Sequence, residues 1–546
     1  MSAGTPSVPG AAGVRGGRVA GGAHGPERLR ALTAIVLDAL EDAAPARGGP
    51  LPAGGPEAVA RRTRALCAPV LPEEGVGAEA ALTDVVRAAA EGAADPADPS
   101  CVAHLHCPPL AVAVAADLAG AALNPSMDSW DQAPAAGVIE ELTTAALARL
   151  VHPAAPAPDA LITSGGTESN LVALLLARER AAPGALRVVT GANAHHSVHR
   201  AAWMLGLPAP AVVACRDGRM DPAALDHVLT GLAGQAGAPL LVVATAGTTD
   251  EGRIDPLAEI ARIAGRHGAR FHVDAAYGGP LLFSARLAPQ LAGLERADSV
   301  TFDLHKLGWQ PVAAGVLTVA DTATLAPLAL RTGYLNADDD TEAGLPDLLG
   351  RSIRTTRRPD ALKMAVTFRA LGRRGLAALV EHCVRTAHAF GRAVDEHPAL
   401  RRRPGEIGIS TVLFRPAAAD TLPDEAGDAV VAAVRRTLLA EGRAVLGRAV
   451  AEDGDGRGRL WLKATLLHPD AATADLLPLL DLVTEAAARA AAGAPAERAG
   501  NGAPADRAGG GDRAEPAAGT AAADRRPSEA PAAEDAELPA PERLSP

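Results

Sequence analysis

From residue 159 onward the hydrophobic positions change rhythm. Short apolar runs at 160–163, 186–189, 211–214, 240–244, 269–273 and 299–302 alternate with longer stretches whose apolar residues recur at helical spacing, at 168–180, 197–205, 222–233 and 256–267. Runs of that length, rich in Val, Ile, Leu and Phe, predict buried strands, and the longer periodic stretches predict helices between them. Strands alternating with helices predict an α/β domain around a largely parallel sheet. Upstream, helical patterns cover 26–40 and 79–90. Downstream, they cover 360–371 and 375–396, followed by strand signals at 409–415 and 459–463. The pattern divides the chain into a helical segment over 26–150, a large α/β domain over 151–370 and a small α+β domain over 371–490. Residues 1–25 and 491–546 are mixtures of Gly, Ala, Pro and charged residues with few large apolar side chains. They bury too little to offset ordering entropy and are expected to be disordered.

Composition narrows the function. A chain of 546 residues with 48% hydrophobic positions has room for a large core. The formal net charge of −12 argues against broad nucleic-acid binding. The five cysteines are sparse and include no CxxC pair, so a reducing cytoplasm is expected rather than a disulfide framework. No run approaches the length of a membrane span, and the N-terminus lacks the charged and apolar regions of a signal peptide.

Ligands of open α/β sheets collect at the carboxyl ends of strands. Four such ends carry unusual polar residues. The first is TSGGTESNL at 163–171, where a strand meets two glycines and a helix. Small residues let the backbone approach an anion at a helix start, although a lone Gly-Gly-Thr is more simply a tight turn. The second is AHHSVH at 194–199. With His104, His106 and Cys107 of HLHC it offers metal ligands, but no HExxH accompanies them, and a histidine here can instead stack on a planar ligand. The third, HVDAAYGG at 272–279, delivers Asp274 at a strand end beside small residues. A buried carboxylate needs a cationic partner or several donors. The fourth, DLHKLGW at 303–309, places Lys306 about one strand–crossover unit further on, facing the same crevice. An anion cradle, a stacking imidazole, a carboxylate for a pyridinium and an amine are together what pyridoxal 5′-phosphate requires.

With ATAGTTDEGRIDP at 244–256, these motifs resemble the group II pyridoxal-phosphate-dependent amino-acid decarboxylases over roughly residues 100–470. HLHCPP at 104–109, NPSMDSWDQAP at 124–134 and RTTRRPDALK at 354–363 resemble most the siderophore-pathway branch of that family, which acts on diaminobutyrate or lysine-like substrates. The resemblance implies fold type I, the aspartate-aminotransferase-like fold of PLP-dependent transferases, and a homodimer with active sites at the interface. It implies that Lys306 links covalently to the cofactor and that Asp274 holds the pyridine nitrogen. His195 maps to the stacking ring, Gly165, Gly166 and Thr167 to the phosphate turn, Thr249 and Ala276 to positions lining the cofactor, and His305 to a histidine near the phosphate.

The implied activity is release of CO₂ from a basic L-amino acid, such as 2,4-diaminobutyrate, lysine or ornithine. Asp128 and Asp131 are candidates for a distal ammonium, or else caps for a helix starting near 135. Relatives place a proton-donating tyrosine in the loop after the lysine. Tyr334, in RTGYLNADDD, is the candidate here, with His195 as the other, while alignment brings Leu345 or Leu348 closer to the family position. Pro359 stands where the family pattern has phenylalanine. Two other readings remain: an aminotransferase or lyase of the same fold, with Arg415 clamping the α-carboxylate, and a metal protein using the HLHC and HHSVH histidines.

Overall fold

The computed structural model describes residues 19–493 apart from 183, 234–237, 330–338, 340 and 341. Three helices lead, α1 (Gly25–Arg47), α2 (Gly55–Cys67) and α3 (Ala78–Glu91), with α3 packed on both of the others. Then come α4 (Ala111–Leu123) and α5 (Pro134–Val151). A proline sits in the first turn of α1, α2 and α5, where its missing N–H costs no hydrogen bond.

The alternating region folds as β1 (Asp159–Thr163), α6 (Gly166–Glu179), β2 (Arg187–Gly191), α7 (Ser197–Met204), β3 (Ala211–Val213), a small hairpin of β4 (Cys215–Arg216) and β5 (Arg219–Met220), α8 (Pro222–Ala233), β6 (Leu240–Thr245), α9 (Leu257–Arg266), β7 (Arg270–Asp274), β8 (Ser299–Asp303) and β9 (Gly315–Val319). All six expected strands form, within two residues of the expected bounds. The seven-stranded sheet has the order β1-β9-β8-β7-β6-β2-β3. Its strands pair in parallel except around β9, which runs antiparallel to both β1 and β8. The pattern reading omits β9 because this strand returns beside β8 with no helix between to mark a crossover. Every residue of β6, β8 and β9 is buried, as strands covered on both faces must be.

The polypeptide continues into α10 (Ala361–Glu396), which bends at Gly372, where φ is 63°. The bend explains two helical stretches in the sequence, and the domain boundary expected near 370 lies within this helix. Next are β10 (Leu400–Arg402), β11 (Thr411–Pro416), α11 (Asp424–Ala440), β12 (Gly447–Glu452), β13 (Gly458–Thr465) and α12 (Thr473–Gly493). Their four strands form an antiparallel sheet of order β10-β11-β13-β12. β12 alternates buried and exposed positions, but its buried residues are Gly and Ala, too weak a hydrophobic signal to read from sequence.

Two aromatic side chains tie the sheets together. The Trp309 indole N–H donates to the main-chain oxygen of Leu467 at 2.7 Å. The Tyr277 hydroxyl lies 2.9 Å from Ser410 Oγ and 3.0 Å from Thr411 Oγ1. Both rings are buried, and each pairs its polar atom, which removes the penalty of burying it. Of the segments expected to be disordered, 1–18 and 494–546 lie outside the described residues, whereas 19–25 and 491–493 are described; Gly25 opens α1 and 491–493 close α12. No described helix is long and apolar enough to cross a membrane.

Candidate active site

Because β1, β2, β6, β7 and β8 point the same way, Thr163, Gly191, Thr245, Asp274 and Asp303 end at one edge of the sheet, with the start of β9 beside them. A cavity of about 400 Å³ opens there. Every residue expected to touch the cofactor lines it: Gly165, Gly166 and Thr167 from the start of α6, His195 before α7, Thr249 after β6, Asp274 and Ala276 after β7, and His305 and Lys306 after β8.

The glycine turn is shaped by close approach. A Cβ at Gly165 would stand 3.0 Å from His305 Cε1, and one at Gly166 would stand 3.1 Å from both Ala276 Cβ and Asp303 Oδ2. The first N–H groups of α6, unpaired within the helix, therefore reach the cavity without side chains in the way. Glu168 secures the turn by accepting from the Ser164 N–H at 2.7 Å, and Arg354 donates to its other oxygen at 3.0 Å.

The Lys306 amine lies 3.0 Å from Asp303 Oδ2, and His305 Nε2 lies 3.6 Å from the same oxygen. Burial holds the His305 pKa below its ordinary value, despite the opposing charge of Asp303. The other Asp303 oxygen, Oδ1, and His305 Nδ1 are buried without hydrogen-bond partners. Below the lysine loop, Cys107 donates its thiol to the main-chain oxygen of His305 at 3.2 Å. Burial pushes that thiol up to about 12, which favours the protonated form that donates here. Among the described residues, no group of three or more His, Cys, Asp or Glu side chains is placed to hold a metal ion.

Asp274 accepts from Asn170 Nδ2 at 2.7 Å and from the Ala276 N–H at 3.1 Å. An ionised carboxylate has about four acceptor sites, so two donors leave capacity toward the cavity. His195 Nδ1 faces the Ser197 N–H at 3.3 Å and Ser197 Oγ at 2.8 Å. A main-chain N–H only donates, so Nδ1 accepts and the neutral ring carries its proton on Nε2. Burial lowers the His195 pKa, which favours that neutral form.

Several residues stand elsewhere than expected. Asp128 and Asp131 are absent from the described lining of the cavity. Nor do they cap α5, whose N-cap is Ala133 with no side-chain cap; Asp128 instead accepts from Gln132 at 2.7 Å. Arg415 is fully buried away from the cavity, paired with Asp420 at 3.0 Å and Asp428 at 3.3 Å and stacked over Trp461. It is a core ion pair of the small sheet, not a carboxylate clamp. Tyr334 lies outside the described residues.

Three lining residues have no cofactor or substrate role in the motif reading. Asp303 was hidden in plain view within DLHKLGW. His104 is held at φ 64°, an uncommon conformation for a non-glycine residue and one that often marks a functional site. Lys463, on β13, brings a second amine to the cavity from the small sheet; nothing near it in sequence marks it. A larger cleft of about 900 Å³ lies between the loop after β6 and α10, but three of its four arginines are engaged by acids: Arg219 with Glu406, Arg253 with Asp217, Arg402 with Asp395. It holds no comparable set of amine, carboxylate and glycine turn.

A cavity with this set, at the strand ends of a mostly parallel sheet joined to a small antiparallel one, defines a pyridoxal-phosphate enzyme of fold type I. Residues 61–416 match the model of the pyridoxal-dependent decarboxylase conserved domain. The L-2,4-diaminobutyrate decarboxylase of Rhizobium meliloti (strain 1021) is 44% identical over 423 residues, spanning 76% of this chain and 83% of that protein. The crystal structure of the glutamate decarboxylase domain of diaminobutyrate-pyruvate transaminase and L-2,4-diaminobutyrate decarboxylase from Vibrio parahaemolyticus superposes with a TM-score of 0.75 at 31% identity, covering 86% of this chain and 98% of that one. The Oryza sativa TDC structure with PLP and tryptamine shares the fold, with a TM-score of 0.76 at 23% identity over 85% and 98% of the two chains. The chain belongs to the pyridoxal-dependent decarboxylase family, and is a pyridoxal-phosphate-dependent amino-acid decarboxylase.

The residues present fit the cofactor. The free N–H groups at the start of α6, the unpartnered His305 Nδ1 beside Lys306, and the spare acceptor capacity of Asp274 are features a bound anionic pyridine aldehyde would use.

Proposed function

We propose that this chain decarboxylates a basic L-amino acid, with L-2,4-diaminobutyrate the first candidate, and works as a cytoplasmic homodimer. The observation that carries the reading is the placement of Lys306, Asp274 and the start of α6 on one cavity that Lys463 also lines. In this reading Lys306 supplies the amine that holds the cofactor, and Asp274 keeps its ring nitrogen protonated. His195 would face the ring, Thr249 and Ala276 would line its pocket, and Gly165, Gly166, Thr167 and His305 would hold the phosphate. Pyridoxal phosphate, when bound, supplies the electron sink for the charge left as CO₂ departs.

Lys463 offers a cation to the substrate carboxylate. Its buried stem and its bonds to Thr249 O at 2.9 Å and Asp250 Oδ1 at 3.1 Å fix where that charge sits. Tyr334 is assigned the return of the proton to the substrate carbon, with His195, when protonated, as the alternative.

The basic substrate is supported by the diaminobutyrate decarboxylases to which the chain is similar. Asp128 and Asp131 meet its distal ammonium only if a second copy brings them to the cavity. Exposed apolar side chains on α1, α4 and α5, among them Leu37, Leu40, Val114, Leu118, Val138 and Leu142, supply surface for such a copy. The five free cysteines suit a reducing compartment.

Measuring CO₂ release from diaminobutyrate, lysine, ornithine and glutamate tests the substrate. Turnover of one basic amino acid well above glutamate is expected. Inertness toward all three basic substrates overturns the choice.

A further inference from the structure

Asn170 sits on α6, the helix whose start forms the glycine turn, and its side chain is fully buried beneath the cavity floor. A buried amide needs four hydrogen bonds, two given and two received. Asn170 makes all four. Its Nδ2 donates to Asp274 Oδ2 at 2.7 Å and to Ser197 Oγ at 2.8 Å. Its Oδ1 accepts from Thr301 Oγ1 at 2.7 Å and from His272 Nε2 at 3.1 Å.

The directions are fixed. Asp274 as a carboxylate only accepts, so the amide nitrogen must face it. Oδ1 then faces Thr301 and His272, which must both donate. His272 has its other nitrogen 2.8 Å from Ser299 Oγ, and burial pushes its pKa down to about 4, so it is neutral and its single proton lies on Nε2. Ser197, receiving from Asn170, passes its own proton to His195 Nδ1 at 2.8 Å. Strand register builds the frame, because Asp274 pairs with Thr301 and His272 with Ser299 across β7 and β8.

We infer that Asn170 is a positioning residue that sets Asp274 and His195 together, so that one buried amide aligns the carboxylate at the cofactor's ring nitrogen with the imidazole on its face. Neither Asp274 nor His195 contacts the other directly in this network; Asn170 and Ser197 join them. The inference rests on the reading of the cavity as the cofactor's seat.

Two near-isosteric variants test it. Asn170→Asp keeps the shape but removes the donor facing Asp274. Thr301→Val keeps the shape but removes the hydroxyl that orients the amide. The measurements are the cofactor dissociation constant of each purified protein and the visible absorption spectrum of the bound cofactor, with thermal melting of the cofactor-free proteins alongside. Asn170→Asp is expected to weaken cofactor retention by about ten- to a hundredfold, the scale of a hydrogen bond to a charged group, and to shift the spectrum. Thr301→Val is expected to weaken it less and in the same sense. If both variants fold and hold the cofactor with wild-type affinity and spectrum, the inference is overturned while the reading of the cavity stands. If wild-type protein holds no cofactor, both fall. Should Asn170→Asp not fold, Thr301→Val decides alone: unchanged affinity and spectrum overturn the inference.

Discussion

Lys463 Nζ donates to the main-chain oxygen of Thr249 at 2.9 Å, joining the small antiparallel sheet to the loop that walls the cavity. The contact orients an amine whose stem is buried, and it puts a second cation beside Lys306 in the lining of the cavity.

Replacing that amine should therefore act on substrate binding. Lys463→Met, which keeps the apolar stem, is expected to lower kcat/KM by about ten- to a hundredfold, mainly through KM, with cofactor content unchanged. Steady-state kinetics on protein of known cofactor occupancy would check this; an unaltered KM would remove Lys463 from the substrate's path.

Asp274 has a different task. Asp274→Asn preserves shape but not the charge, and should cost roughly two to three orders of magnitude in kcat, as removing a preorganised charge at a reacting centre does. Single-turnover rates at saturating cofactor separate this from weakened binding. A rate within a few fold of wild type would mean that Asp274 is structural.

Arg415 separates the decarboxylase from an aminotransferase-like use of the small sheet. Its partners Asp420 and Asp428 are 27% and 29% exposed. Breaking the pair should thus cost less than the 3–5 kcal/mol of a fully buried one, about 1–3 kcal/mol. Arg415→Met is expected to lower the melting temperature while leaving the KM of the folded enzyme unchanged.

Two buried histidines give acid sensitivity of a defined sign. Burial pushes His152 and His272 from 6.5 down to about 4. Between those values the unfolded chain binds protons that the native state refuses, so stability present above about pH 6.5 falls as the pH drops toward 4, by up to about 3 kcal/mol per group. Urea midpoints of the cofactor-free protein across that interval should decline steadily; a flat profile would show that neither ring is held neutral.

Much of this site is legible in the chain because its pieces are local. Asp274, His305, Lys306 and the glycine turn each end a strand whose apolar run is readable, and the sheet delivers them to one edge. Lys463 and Asn170 are not legible in that way. Lys463 reaches the cavity only through the packing of β13 against the loop after β6. Asn170 lies in a quoted motif, yet its role depends on cross-strand register that pairs Asp274 with Thr301. Arg415 misleads for the converse reason: its charge marks it, while the fold pairs it with Asp420 and Asp428 in the core of the small sheet. β9 escapes because it reverses direction without a helix.

The most direct test of the covalent lysine is the visible spectrum of the purified protein supplied with pyridoxal phosphate, compared with Lys306→Ala. Wild type should show the absorption band of a lysine-linked cofactor, and Lys306→Ala should lack it while remaining folded. The same band in Lys306→Ala, or a colourless wild type, would contradict the assignment of Lys306 and with it the site built around it.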